Sequence, residues 1–309
     1  MFATRRASRL ALPLIAAAIA LFLPSPAHAG GPECRAQTAT QVGTSGNDTM
    51  NGTSGNDVIV GLGGNDTIQG FAGDDLLCGN GGFDDVYGAT GRDEMEGNGG
   101  GDFLTGGGGF DLLKGGRGLD NLFGVDGPDS MLGGGGRDLL QGGDGSDLLE
   151  GGRGNDGTSG DTIFGLFGEG GRDLLFGGQG NDDLSGLQKS DEMYGGNGRD
   201  LLFGDSGSDL LRGESGEDHL RGGKGNDSMS GGDDDDRMWG AVGMEYMTGD
   251  SGHDVMRGGG DDDDMRGVQG DDHLFGQGGD DNLVGGPGVD ELDGGSGTDT
   301  CSSGMSTNC

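Results

Sequence analysis

The stretch Gly177-Gly178-Gln179-Gly180-Asn181-Asp182-Asp183-Leu184-Ser185 divides into six residues rich in Gly and Asp and three that carry one apolar side chain in their middle. Gly permits the positive φ and tight curvature of a turn, and a short extended segment alternates its side chains between two faces. The stretch therefore reads as a turn followed by a three-residue strand with Leu184 pointing inward. Gly186 opens the same pattern nine residues on, and Gly168 opens it nine residues back. Laid along the whole chain, this nine-residue ruler gives 13 units over 43–159 and 15 over 168–302, separated by an irregular seam at 160–167.

All 28 units begin with Gly. The fourth slot is Gly in 25 of them, failing at Lys189, Asp234 and Asp261, and the sixth slot is Asp in 27, with Glu245 the exception. The eighth slot is Leu, Ile, Val or Met everywhere except Thr158 and Cys301, and nine of the 12 Met residues sit there. A three-residue strand buries nothing by itself, so consecutive units must stack to form a continuous column of slot-eight side chains. Two units per coil predict about 14 coils, which at ~4.8 Å each make a rod of roughly 65–70 Å. The seam reads either as a bulged coil inside one roll or as a break between two. Lys189, Asp234, Asp261 and Glu245 mark units whose sites are expected to be weak or empty.

The composition fits only such an array or a disordered polyanion. Of 309 residues, 80 are Gly, 54 are acidic and 18 are Lys or Arg, for a net charge of −36. Gly without Gly-X-Y spacing excludes a collagen helix, and 30% hydrophobic residues excludes a membrane bundle. Residues 1–29 read as an export signal: Arg5, Arg6 and Arg9, an apolar run from Leu10 to Leu23, then Ala27-His28-Ala29 before Gly30. That run is too short to span a bilayer, and none follows it. Cleavage would take three positive charges from −36, leaving −39. Repulsion on this scale opposes a compact state and makes nucleic acid or an anionic membrane a poor partner. A multivalent cation or a basic protein is the natural counter-charge.

With these units quoted, the chain resembles the RTX (haemolysin-type) family, whose nonapeptide G-G-x-G-x-D-x-U-x is a known calcium-binding β-helix repeat. The resemblance implies an all-β fold, a right-handed parallel β-roll with two nonapeptides per coil, and Ca²⁺ held between a turn and the turn two units on. The implied ligands are turn carbonyls and the slot-six carboxylates: Asp48, Asp57, Asp66, Asp75, Asp84, Asp93, Asp102, Asp111, Asp120, Asp129, Asp138, Asp147 and Asp156 in the first block, then Asp173, Asp182, Asp191, Asp200, Asp209, Asp218, Asp227, Asp236, Asp254, Asp263, Asp272, Asp281, Asp290 and Asp299 in the second. Asp48 would share an ion with Asp66, and Asp57 with Asp75.

Coordination chemistry supports the carry-over independently. Ca²⁺ takes six to eight hard oxygens in irregular geometry, which turns of carboxylates and carbonyls supply, whereas Mg²⁺ demands a small octahedron. One ion per pair of units two apart gives eleven sites in the first block and thirteen in the second, 24 at most. One buried side chain per nine ordered residues is too little apolar burial to offset the entropy of ordering them, so the rod is expected not to fold without metal. Asn-Asp and Gly-Asp also occur in solvated turns that bind nothing. Asp in phase 27 times speaks against that reading.

Other signals dissolve on the ruler. Gly204-Asp205-Ser206-Gly207 and Gly249-Asp250-Ser251-Gly252 look like protease nucleophile signatures but occupy slots one to four of ordinary units. His219, His253 and His273 sit in variable slots, so no triad is expected and the chain reads as no enzyme. Toxins, proteases and lipases of the family carry a large effector module upstream of their repeats. Here an N-terminal cap at 30–42 leads directly into repeats and only 303–309 follows them. The expected protein is a secreted, extracellular, free-standing calcium binder.

The competing class is an adhesive module binding a cell-surface polymer such as polysaccharide. Slots seven and nine mix Leu, Asp, Thr, Glu, Arg, Phe and Ser, however, with no ladder of one residue type. Four Cys in an exported chain allow three pairings. The expected one joins Cys34 with Cys78 and Cys301 with Cys309, pinning a cap at each end of the rod.

Overall fold

The computed structural model describes residues 37–154, 156, 166–167, 171–303, 305–307 and 309. Residues 1–29, Cys34 and most of the seam lie outside these. Within them the chain is a parallel β-solenoid of about 14 turns, with thirty strands in two fifteen-stranded sheets and no helix. The first sheet runs from Gln41–Val42 through Val58–Gly63 and Leu76–Gly81 to Thr300–Ser302, and the second from Thr49–Asn51 through Thr67–Ala72 to Met305–Thr307. Successive units go to alternate sheets. Away from the seam and the last strand, each strand residue therefore meets its equivalent 18 positions on: Ile59 pairs with Leu77 in the first sheet, and Ile68 with Val86 in the second.

Most strands span six residues, twice the three that the sequence pattern predicts. Val58–Gly63 covers slots seven to nine of one unit and slots one to three of the next. The pairing continues through the start of the turn, Leu62 with Asn80 and Gly63 with Gly81. The physical reason is that each turn repeats the backbone of the turn below it. Leu62, Phe71 and Asn80 all have φ between 76° and 82°, so a left-handed residue stacks on a left-handed residue without breaking the ladder.

The core is one file of side chains. Met50, Ile59, Ile68, Leu77 and every later slot-eight residue to Leu292 in the described units are buried at 3% exposure or less, with Cys301 packed partly against the end. A smaller cluster of Val60, Leu76 and Cys78, with Ala39 and Val58 against it, lies on the outward face where the N-terminal segment begins. At the far end Cys301 and Cys309 form a disulfide with Cα atoms 5.9 Å apart. The expected Cys34–Cys78 bond falls on a residue outside the described ones.

Strand pairs cross the seam. Leu148 pairs with Leu174 and Leu140 with Leu166, both 26 residues apart instead of 18, and Leu166 then pairs with Leu184 at the usual 18. The ruler gave that level of the column to Thr158, whereas in the backbone register it belongs to Leu166. Eight residues are thus inserted between slots six and seven of the unit that begins at Gly151.

Candidate metal centre

The slot-six side chain of each unit folds back into its own turn. From Asp66 to Asp290, 24 of these Asp residues are buried at 3% exposure or less, together with Glu245; Asp48, Asp57 and Asp299 at the two ends are half-buried. One oxygen of each Asp carboxylate from Asp66 onward has a fixed partner, and only Glu245 drops out of the row. Oδ1 of Asp66 accepts the backbone N–H of Asp48 at 2.8 Å, Oδ1 of Asp84 accepts that of Asp66 at 2.8 Å, and the ladder repeats at 2.7–3.1 Å up to Asp299. It crosses the seam, from Asp147 N–H to Asp173 and from Asp156 N–H to Asp182. The sixth slot thus stitches turn to turn along both sheets.

The other oxygen has none. Oδ2 of all 24 buried Asp residues lacks a hydrogen-bond partner, as do both carboxylate oxygens of Glu245. A buried charged oxygen without a partner costs far more than the net worth of an ordinary hydrogen bond. The ion pairs Lys114–Glu96, Arg199–Glu217 and Arg266–Asp264 engage other acids.

Burial accordingly pushes the carboxyls up: Asp129, Asp182 and Asp236 to about 8, and Asp93, Asp102 and Asp138 to about 7. The N–H bond to Oδ1 pulls each one back, and the carboxylates of neighbouring turns push it further. Glu245 is raised by burial and by Asp263 beside it.

Glycine keeps the turn open around this oxygen. A methyl group at Gly204 would lie 2.5 Å from Oδ2 of Asp209 and 2.7 Å from the carbonyl oxygen of Gly222 on the next turn. Slot one is therefore Gly for lack of room. In slot four most units have a positive φ, and a methyl at Gly82, where φ is +138°, would also collide with the carbonyl of Gly64. Lys189, Asp234 and Asp261 hold the same backbone path at φ of 75–82°, so these units keep the turn and carry its strain.

The donor set is hard oxygen. Carboxylate Oδ2 crowds the slot-one glycines and carbonyls of stacked turns crowd most slot-four glycines, which suits Ca²⁺ better than any softer metal. Among the described residues no cluster of three or more His, Cys, Asp or Glu side chains converges on one point. Backbone oxygens must therefore supply much of the coordination, and the residues fit calcium on those terms.

Asp48 and Asp57 differ from the rest. Oδ2 of Asp48 accepts the Thr44 N–H at 2.6 Å and the Thr44 hydroxyl at 2.9 Å, and Oδ2 of Asp57 accepts the same pair from Thr53. The first two turns close on themselves. Sequence reading also missed the fifth slot, whose side chains form an outer ladder. Asn47 Oδ1 accepts the Asn65 N–H at 2.8 Å, and Asp235, Asp262 and Ser190 do likewise for residues 18 further on. Frequent Asn, Asp and Ser at that slot were the available signal.

The model of the RTX calcium-binding nonapeptide repeat matches the chain twelve times between residues 42 and 301, leaving out only 159–165 in that range. No curated protein matches it. Many such repeats imply many Ca²⁺ ions, and the stacked turns with their buried, half-satisfied carboxylates are what that repeat builds. By its repeats, its roll and its oxygen-lined turns, the chain belongs to the RTX calcium-binding nonapeptide family.

Proposed function

We propose that the protein is a secreted, structural calcium binder whose turns take up a ladder of Ca²⁺ ions, and that this uptake drives folding outside the cell. The observation that carries the reading is the row of buried Oδ2 atoms without partners from Asp66 to Asp290. These carboxylates would hold the ions together with carbonyls of stacked turns. Bound calcium supplies the positive charge that a chain of net −36 lacks. In the roll Oδ1 of each Asp from Asp66 onward keeps its backbone N–H, so Oδ2 is the oxygen left for the ion.

Cytosolic calcium is scarce and extracellular modules typically bind at ~10⁻⁴ to 10⁻³ M. The chain would cross the membrane unfolded, with 1–29 as its leader, and wind up outside. Disulfides Cys34–Cys78 and Cys301–Cys309 would then pin its two ends. Equilibrium dialysis against ⁴⁵Ca²⁺ tests the assignment. Asp200→Asn with Asp218→Asn should lower the bound count by one to three ions and leave far-UV circular dichroism at saturating calcium nearly unchanged. A full count in the double variant would remove slot six from the ligand set.

A further inference from the structure

The outward face of the second sheet carries a feature that calcium binding does not use. In slot nine, Phe203 pairs with Arg221, Arg221 with Trp239, Trp239 with Arg257 and Arg257 with Phe275, so rings and guanidinium groups alternate strand by strand. Slot seven beside it runs Leu201, His219, Arg237, Val255 and His273. Of these, Leu201, Phe203, His219, Arg221, Trp239 and Arg257 wall an open groove of about 520 Å³, Trp239 being the one Trp of the chain, while His273 at the end of the row is paired with Glu291. Phe203, Trp239 and Phe275 are half-buried, with Arg221 and Arg237 exposed between them. Arg257 lies over the Phe275 ring at 5.3 Å, and His219 meets Trp239 edge-on at 5.9 Å.

The charge of this groove is opposite to that of the molecule. The chain has three acids for each Lys or Arg, yet none of the described residues lining the groove is Asp or Glu. The comparable aromatic pairs on the first sheet do not share this: Tyr194 donates to Glu192, and Arg266, over the ring of Tyr246, is paired with Asp264. At ~4.8 Å per strand, rings recur every ~9.6 Å and so do arginines, in a straight line along the roll. That spacing favours a ligand that offers one flat apolar face and one carboxylate in regular alternation. Ring faces take sugar C–H faces as apolar surface, and guanidinium groups take carboxylates in bidentate pairs. A nucleic-acid strand carries a charge every ~3.4 Å, a density that arginines ~9.6 Å apart on a chain of pI near 4.1 do not match, whereas one carboxylate per disaccharide does.

We propose that the Trp239 groove binds an extended acidic polysaccharide carrying one carboxylate per disaccharide, laid across the strands along the roll. The site needs the roll to be folded, so binding is measured only where circular dichroism shows it to be. Trp239 fluorescence and calorimetry, in calcium, would follow titration with a hyaluronan oligosaccharide. Neutral cello-oligosaccharide, a single-stranded DNA oligomer and phosphatidylserine vesicles serve as comparisons. The oligosaccharide should shift Trp239 emission and bind at least tenfold tighter than any comparison. Arg221→Gln with Arg257→Gln should weaken it tenfold or more with the fold intact, while Phe123→Ala on the same sheet should change nothing.

No binding, equal binding of the neutral glycan, tighter binding of DNA or vesicles, or an undiminished affinity in the double variant would each overturn the proposal. A chain that never folds in calcium would instead contradict the reading of the preceding subsection.

Discussion

At the scale of single residues, each turn couples a carboxylate to a glycine. Oδ2 of Asp209 occupies the space that a side chain at Gly204 would need, so Gly204→Ala forces one of the two to move. Overpacking of this kind costs roughly 1–3 kcal/mol. The variant should lower the melting temperature in calcium and lose at least one ion by equilibrium dialysis; an unchanged count would mean that the space serves packing alone.

The raised carboxyls give a pH signature. Folded, metal-free Asp129 and Asp236 titrate at about 8, far above the value near 3.8 of an exposed Asp, so the folded chain holds protons that the unfolded chain has released. Stability of the metal-free roll is therefore fully present below about pH 4 and is lost as pH rises towards 8. In chelator, β-type circular dichroism should appear on acidification, and the calcium midpoint should rise as pH falls from 8 to 6. A midpoint flat across that range would contradict the assignment of these carboxylates.

Slot six and slot eight were legible in the sequence because every unit repeats them. The closure by Thr44 and Thr53 was not, since it depends on which oxygen of Asp48 and Asp57 is left over.

At the scale of the strand and the turn, a period of nine describes the chemistry but a period of 18 describes the neighbours. Reading all units in one column mixes Phe203, Arg212, Arg221 and Ser230, whereas separating the two sheets puts Phe203, Arg221 and Trp239 in line. That is why the groove stayed hidden in a slot that looked disordered. Strand length was underestimated for a related reason: positive φ at residues such as Leu62 looks like the end of a strand until the identical turn below it is included.

Each strand gives the core only one side chain. Leu211→Ala should cost roughly 2–5 kcal/mol, measured by urea unfolding in saturating calcium; a loss under 1 kcal/mol would mean that the column is loosely packed. In the first turns, Thr53→Val removes the hydroxyl from Asp57 and should cost about 0.5–1.5 kcal/mol with no change in ion count. A lost ion would show that this turn is a metal site after all.

At the scale of the whole molecule, coils touch only their neighbours, so stability is a sum of unit and interface contributions along one axis. Every unit lacks enough apolar burial to stand without metal, and every described unit from that of Asp66 to that of Asp290 leaves a buried carboxylate oxygen unsatisfied. Under the proposed function, folding and metal uptake are one equilibrium. At the N-terminal end Thr44 and Thr53 satisfy the carboxylates of the first two turns, and the Cys301–Cys309 bond closes the far end.

The most direct test is a Ca²⁺ titration of the oxidised chain from Gly30 onward, following far-UV circular dichroism and hydrodynamic radius, with Mg²⁺ in parallel. The account predicts an expanded coil in chelator at neutral pH and a cooperative compaction to β structure near millimolar Ca²⁺ but not with Mg²⁺. A chain already compact in chelator, or one still expanded at ten times that calcium concentration, would contradict it.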